Sequence, residues 1–90
     1  MKIACVGDRQ SLLGMGLAGV KRLIIVEEGE DAGERIRELT SADDYGLVLV
    51  TSNIYRQAEE TVRELEAATS LPVFLEIPEM KLLAGVREVE

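Results

Sequence analysis

Few side chains in this sequence could do chemistry. None of its 90 residues is histidine and only Cys5 is cysteine. Ser–His and Cys–His dyads, imidazole metal sites and the commonest general base are therefore excluded. One thiol makes neither a disulfide framework nor a cysteine zinc site. A glycine run and scattered carboxylates remain. Gly14-Met15-Gly16-Leu17-Ala18-Gly19 spells G-x-G-x-x-G. A dinucleotide site needs such glycines to follow a strand directly and open a helix, whose N-terminus then meets the pyrophosphate. Here the preceding strand ends at Gly7, six residues intervene, and another strand follows. The glycines thus belong to the far end of a helix, where small residues let a helix end and turn pass close to another backbone.

The carboxylates need the same scrutiny. Asp8, Glu27, Glu28 and Glu76, with Thr51, Ser52 and Asn53, fall at the carboxyl ends of expected strands, where α/β proteins bind ligands. Clustered acids there could hold Mg²⁺, and phospho-receiver domains share the layout. A receiver, however, has an Asp ending its third strand, an acid pair after its first and a Lys after its last. This chain has Thr51, a lone Asp8 and Glu76-Ile77-Pro78 at those places. Asp8 reads more simply as a helix cap, and Glu27, Glu28, Glu30 and Asp31 as a solvated acidic edge. Cys5 lies inside the first strand and reads as a small buried hydrophobe. No catalytic residue, metal ligand or cofactor is assigned.

The elements that carry these residues follow from periodicity. Residues 2–7 form a β-branched-rich run closed by Gly-Asp. Asp8 or Ser11 caps a short helix carrying Leu12, Leu13 and Leu17, weakened by Gly14, Gly16 and Gly19 at about 1 kcal/mol each against alanine. Strands are expected at residues 23–27, 45–51 and 73–77; Leu23–Val26 is a continuous apolar run, the pattern of a strand covered on both faces, and Tyr45–Val50 reads as buried. Asp31 followed by Glu34 opens a second helix with Ala32, Ile36 and Leu39 inward, and Glu34, Arg35, Arg37 and Glu38 facing water. Ser52 or Asn53 caps a third, with stripe Ile54, Ala58, Val62 and Leu65. Its outer face spaces Arg56–Glu60 and Glu59–Arg63 for i,i+4 pairing.

Strand and helix alternate to give an α/β fold. We expect a four-stranded parallel sheet in the flavodoxin-like or Rossmann-like order 2-1-3-4, a three-layer sandwich. Residues 1–78 are expected to be one domain and residues 79–90 a C-terminal tail, in which Met80, Leu82, Leu83, Val86 and Val89 are apolar enough to dock.

Composition narrows the function classes. The net charge of −7, with two Tyr, one Phe and no Trp, argues against a nucleic-acid surface. No apolar run approaches the roughly 20 residues of a membrane span, and the N-terminus lacks signal-peptide shape. The expectation is an acidic, cytoplasmic module.

The segments also resemble a known family. Residues 1–4 with Val6-Gly7-Asp8, Gly14 with Leu17-Ala18-Gly19-Val20, the run from Tyr45 to Thr51, and Leu71-Pro72-Val73 with Glu76-Ile77-Pro78 are similar to the F subunit of archaeal and bacterial V-type (A-type) ATP synthases. The resemblance covers residues 1–78. It implies a non-catalytic domain on the central rotor stalk, peripheral to the membrane. Such a domain binds the coiled-coil D subunit, meets the catalytic A/B head, and couples or regulates ATP turnover with ion transport. Two departures stand out: Met15-Gly16 replaces a frequent Phe-Arg, and only twelve residues follow Pro78 where a polar loop and C-terminal helix are usual. Gly14, Met15, Gly16, Leu17 and Gly19 are the candidate partner-binding residues. The alternatives are a small receiver-like or phosphate- or nucleotide-binding regulator, or an enzyme using carboxylates alone.

Overall fold

The computed structural model describes residues 1–17 and 19–79, the side chains of residues 15–17 excepted. Strands and helices alternate as β1 (Ile3–Gly7), α1 (Arg9–Leu17), β2 (Arg22–Ile25), α2 (Ala32–Ala42), β3 (Leu47–Thr51), α3 (Ser52–Ala68) and β4 (Val73–Ile77). All pairings are parallel, in the order β2-β1-β3-β4. The expected architecture and strand order therefore hold. The register places Cys5 between Leu23 and Leu49, and Val50 opposite Glu76. Strand ends differ from expectation by one or two residues, yet the ladder runs on past them: Val26 N–H donates to Gly7 O at 2.9 Å, and Gly46 N–H to Lys2 O at 2.9 Å.

Alternation along the strands splits the molecule into two layers around the sheet. Ala4, Val6, Ile24, Val26, Val48, Val50 and Phe74 meet Ala32, Ile36 and Leu39 of α2 and Ile54, Ala58 and Val62 of α3 in one buried core. Leu65 packs at its margin, completing the α3 stripe as expected. On the opposite face Cys5, Gly7 and Thr51 lie with Leu12 of α1. Gly7 is there because nothing larger fits: an added Cβ would stand 2.6 Å from Thr51 Cγ2 and 3.1 Å from Leu12 Cδ2.

Among the described residues, α1 is the helix on the second face, and it makes its main contacts with β1 and β2. Helices were expected on both faces of the sheet, and the described ones lie on both, α2 and α3 on one and α1 on the other. Leu47 and Leu49 are half-buried, and Val73 and Leu75 are exposed. Leu13 departs from expectation. Of the leucines expected on the inner face of α1, Leu12 is fully buried, Leu13 is exposed, and the Leu17 side chain lies outside the described residues.

Two expectations about α3 also change. Thr51 occupies its cap position and Ser52 is its first helical residue, because β3 runs into the helix with no loop between. Ser52 Oγ instead donates to Ile77 O at 3.1 Å, tying the helix start to the end of β4. Arg63 and Glu59 pair at 2.7 Å as spaced, but Arg56 turns to Glu79 at 3.7 Å rather than to Glu60. Arg35, expected to face water, is half-buried and donates to Ile25 O at 3.1 Å. The tail residues 80–90 lie outside the described residues.

Candidate functional site

The carboxyl ends of β1 and β3 bring Asp8, Ser11, Thr51 and Asn53 together. Asp8 caps α1: its carboxylate accepts from Ser11 N–H at 3.1 Å and Ser11 Oγ–H at 2.7 Å, while Leu12 N–H bonds to Asp8 O. Asn53 Nδ2 donates to Asp8 Oδ1 at 3.1 Å, and Asn53 Oδ1 accepts from Thr51 Oγ1 at 2.7 Å and Ile54 N at 2.9 Å. Burial pushes the Asp8 carboxyl up, but the hydrogen bonds from Ser11 and Asn53 outweigh it and hold it below the usual carboxylate range. Asp8 is thus an ionised carboxylate satisfied by its own neighbours. Its lowered basicity suits a cap and not a general base near neutral pH.

The neighbouring acids are engaged as well. Glu27 pairs with Arg9, and its N–H donates to Glu30 Oε1 at 2.8 Å. Glu30 in turn pairs with Arg35 at 2.9 Å. Asp8, Glu27, Glu28, Asn53 and Gln57 rim an open cleft of about 270 Å³, below the roughly 300–1,000 Å³ typical of pockets for small ligands. Among the described residues no group of three or more Asp, Glu, His or Cys is placed to hold a metal ion. Glu76 sits on the edge strand β4 and does not join this cluster. Cys5 is fully buried in β1, and burial pushes its thiol up to about 11, so near neutral pH it is a thiol and not a thiolate.

The glycine run takes the polarity that its spacing implied. Gly14, Met15 and Gly16 lie in the last turns of α1, and Gly19 follows the helix. The free groups at that end are carbonyls, which repel a phosphate instead of binding it. Gly19 has φ +96°, a conformation that side chains disfavour, while an added Cβ there would meet nothing within 4 Å. Its role is a backbone turn; the close approach inferred for the run does not hold at Gly19. The side chains of Met15 and Leu17 lie outside the described residues.

The described residues form an α/β sandwich with a satisfied polar cluster at its strand ends. Residues 3–90 match the ATP synthase (F/14-kDa) subunit family. The chain is 36% identical over 77 residues to the F subunit of the A-type ATP synthase of Methanothermobacter thermautotrophicus, covering 86% of this chain and 72% of that one. It is 35% identical over 83 residues to the F subunit of Thermococcus gammatolerans, covering 88% and 76%. To the F subunit of Methanocaldococcus jannaschii it is 28% identical over 79 residues, covering 88% and 76%. The chain belongs to the ATP synthase F-subunit family, and the resemblance read from its segments holds. No helix among the described residues is long and apolar enough to cross a membrane.

Proposed function

We propose that this protein is a non-catalytic central-stalk subunit of a V/A-type ATP synthase. In this reading it binds the coiled-coil D subunit, sits below the catalytic A/B head, and helps couple or regulate ATP turnover with ion movement. The family match over residues 3–90 carries the reading. The chemistry supports it: Asp8 caps a helix, Glu27 pairs with Arg9, and the glycine run ends a helix. The segment from Gly14 to Gly19, with Met15, Gly16 and Leu17 between, lies at or beside the contact with the D subunit. Glycines there weaken α1 and allow close approach, and Met15 and Leu17 supply adaptable apolar contact.

The test is reconstitution with the A, B and D subunits. The chain should co-purify with the D subunit, change the ATPase rate of the A/B/D complex, and hydrolyse no ATP alone. Gly16→Leu should lower the affinity for the D subunit and leave the melting temperature unchanged. Binding retained with a large fall in melting temperature assigns the glycine to the fold. Micromolar NAD or ATP affinity that is lost in Gly16→Val overturns the reading in favour of a nucleotide-binding regulator.

A further inference from the structure

In a chain with 17 acidic and 10 basic residues, a cation finds a carboxylate easily. Among the described residues every Lys and Arg does so except two, Lys21 and Arg22. They are adjacent, both are exposed, and they stand where the chain enters β2. The carboxylate nearby, Asp43, is already engaged. Its bond from Lys2 holds the carboxyl below the usual range, and Arg22 adds a weaker pull from beyond ion-pair distance. Three cations thus face one acid, a positive spot on a negative molecule.

That spot is one end of a groove across the amino end of the sheet. A basin of about 550 Å³ runs between Ile3, Val20, Lys21 and Arg22. A second, of about 600 Å³, is walled by Tyr45, Leu71 and Pro72. Met1, Lys2, Asp43 and Tyr45 line both, so the two basins adjoin. The floor is fixed: Gly46 N–H donates to Lys2 O at 2.9 Å and Val73 N–H to Gly46 O at 3.0 Å, tying the starts of β1, β3 and β4 together. Those backbone groups are already bonded, so recognition falls to side chains. From β2 to β4 is three strand spacings, about 14 Å, or four to five residues of extended chain. A compact ligand fills one basin; an elongated one uses both. The chain passes into residues 80–90 from the carboxyl end of β4, the corner of the sheet diagonal to Lys21 and Arg22.

We infer that this groove docks an extended acidic segment of a neighbouring protein, its carboxylates on Lys21 and Arg22 and its apolar side chains over Tyr45, Leu71 and Pro72. Charge sets the order along the groove. Asp43 and Asp44 repel a carboxylate from the middle, so the acids belong at the β2 end and the apolar residues at the β4 end. Charge also selects the kind of partner. A nucleic acid or an anionic membrane presents a wide negative field, which the net charge of −7 repels, whereas a short acidic segment meets only the local positive spot. A member of a family of ATP synthase subunits has neighbouring proteins to supply such a segment. Exposed Leu71 gives the apolar end its contact area, and Gly19 leaves the wall beside Lys21 low.

Fluorescence anisotropy of the full chain tests this with a labelled synthetic peptide, Glu-Glu-Val-Leu-Leu, in both sequence directions, against the matching Gln-Gln peptides. In one direction the acidic peptide should bind saturably and about tenfold or more tighter than its Gln counterpart, and its affinity should fall as salt rises. Lys21→Gln with Arg22→Gln should abolish that preference. Both side chains are exposed and without a partner among the described residues, so the melting temperature should stay as in the parent. Arg63→Gln, which removes one cation from α3, should leave the affinity unchanged. Amide resonances of residues 19–22, 43–46, 71 and 73 should shift on binding. No saturable binding in either direction overturns the proposal, and so does equal binding of the acidic and Gln peptides. A loss with Arg63→Gln as large as that with the Lys21 and Arg22 pair shows attraction to charge in general and overturns it too. Binding that appears only when residues 80–90 are deleted assigns the groove to the chain's own tail, with the same consequence.

Discussion

Asp8 does three things with one carboxylate: it caps α1, it orients Ser11, and it holds Asn53 across from β3. Loss of a helix cap costs about 0.5–2 kcal/mol, and Asp8→Ala should fall at the upper end because Asn53 also loses an acceptor. The pH dependence has a definite sign. The carboxyl is held below its unfolded-state value near 3.9. Its contribution is therefore complete above that pH and is lost as pH falls through the lower folded value. Urea unfolding between pH 2 and 7 should show a shallower acid slope for Asp8→Asn than for the parent. Cys5 titrates in the other direction. With its thiol raised to about 11, the stability it contributes is complete below the unfolded-state value near 8.5 and fades as pH rises through 11. Near neutral pH the buried thiol should label with a disulfide reagent only as fast as the protein opens, and rapidly once urea is added. Rapid labelling without denaturant would contradict the burial.

Among the elements, α2 and α3 are held at a close crossing. A Cβ on Gly33 would stand 2.5 Å from Thr61 Oγ1, so this glycine in the first turn of α2 lets the two helices meet. Alanine is favoured over glycine inside a helix by about 1 kcal/mol, but overpacking costs about 1–3 kcal/mol. We expect the clash to win: Gly33→Ala should lower stability by about 1–2 kcal/mol. Removing the obstructing hydroxyl in Gly33→Ala/Thr61→Ala should recover at least half of the loss. Denaturant melts of the parent, both single variants and the double form the cycle that checks this. Simple additivity of the two substitutions would refute the contact. Helix α1 is the counter-example: it has nine residues to the seventeen of α3 and carries Gly14 and Gly16 in its last turns, so it should exchange its amides sooner than α3.

For the molecule taken together, a 90-residue sequence buries a small share of its surface on folding, and in the stalk reading a bound partner adds to a thin stability. A partner that binds only the folded state adds about 2.7 kcal/mol at a hundredfold excess over Kd. For a domain of this size each kcal/mol raises the midpoint by about 4–8 °C. Scanning calorimetry of the chain with excess D subunit should therefore show an upward shift of roughly 10–20 °C. NAD, ATP and Mg²⁺ at millimolar concentration should shift the midpoint by less than about 1 °C. A comparable shift with any of these ligands would return the strand-end cluster to consideration as a ligand site.

Residue pattern alone was enough to set the alternation of strands and helices, the strand order, the inward stripes of α2 and α3, and the cap at Asp31, where Glu34 N–H bonds at 3.2 Å. These are local quantities: periodicity repeats within each element, caps act over three residues, and right-handed crossovers leave few topologies. The polarity of the glycine run was legible for the same reason, because it depends only on the order of neighbouring elements. The meeting of Asp8, Thr51 and Asn53, the replacement of Glu60 by Glu79 beside Arg56, and the exposure of Leu13 came only with the folded arrangement. Each depends on which residues far apart in the chain come within a few ångströms. The two environments along β3 and β4 have the same origin. Residues 47–50 and 73–75 read as uniformly apolar, and only the placement of α2 and α3 shows that Val48, Val50 and Phe74 are buried while, among the described residues, Val73 and Leu75 stand exposed.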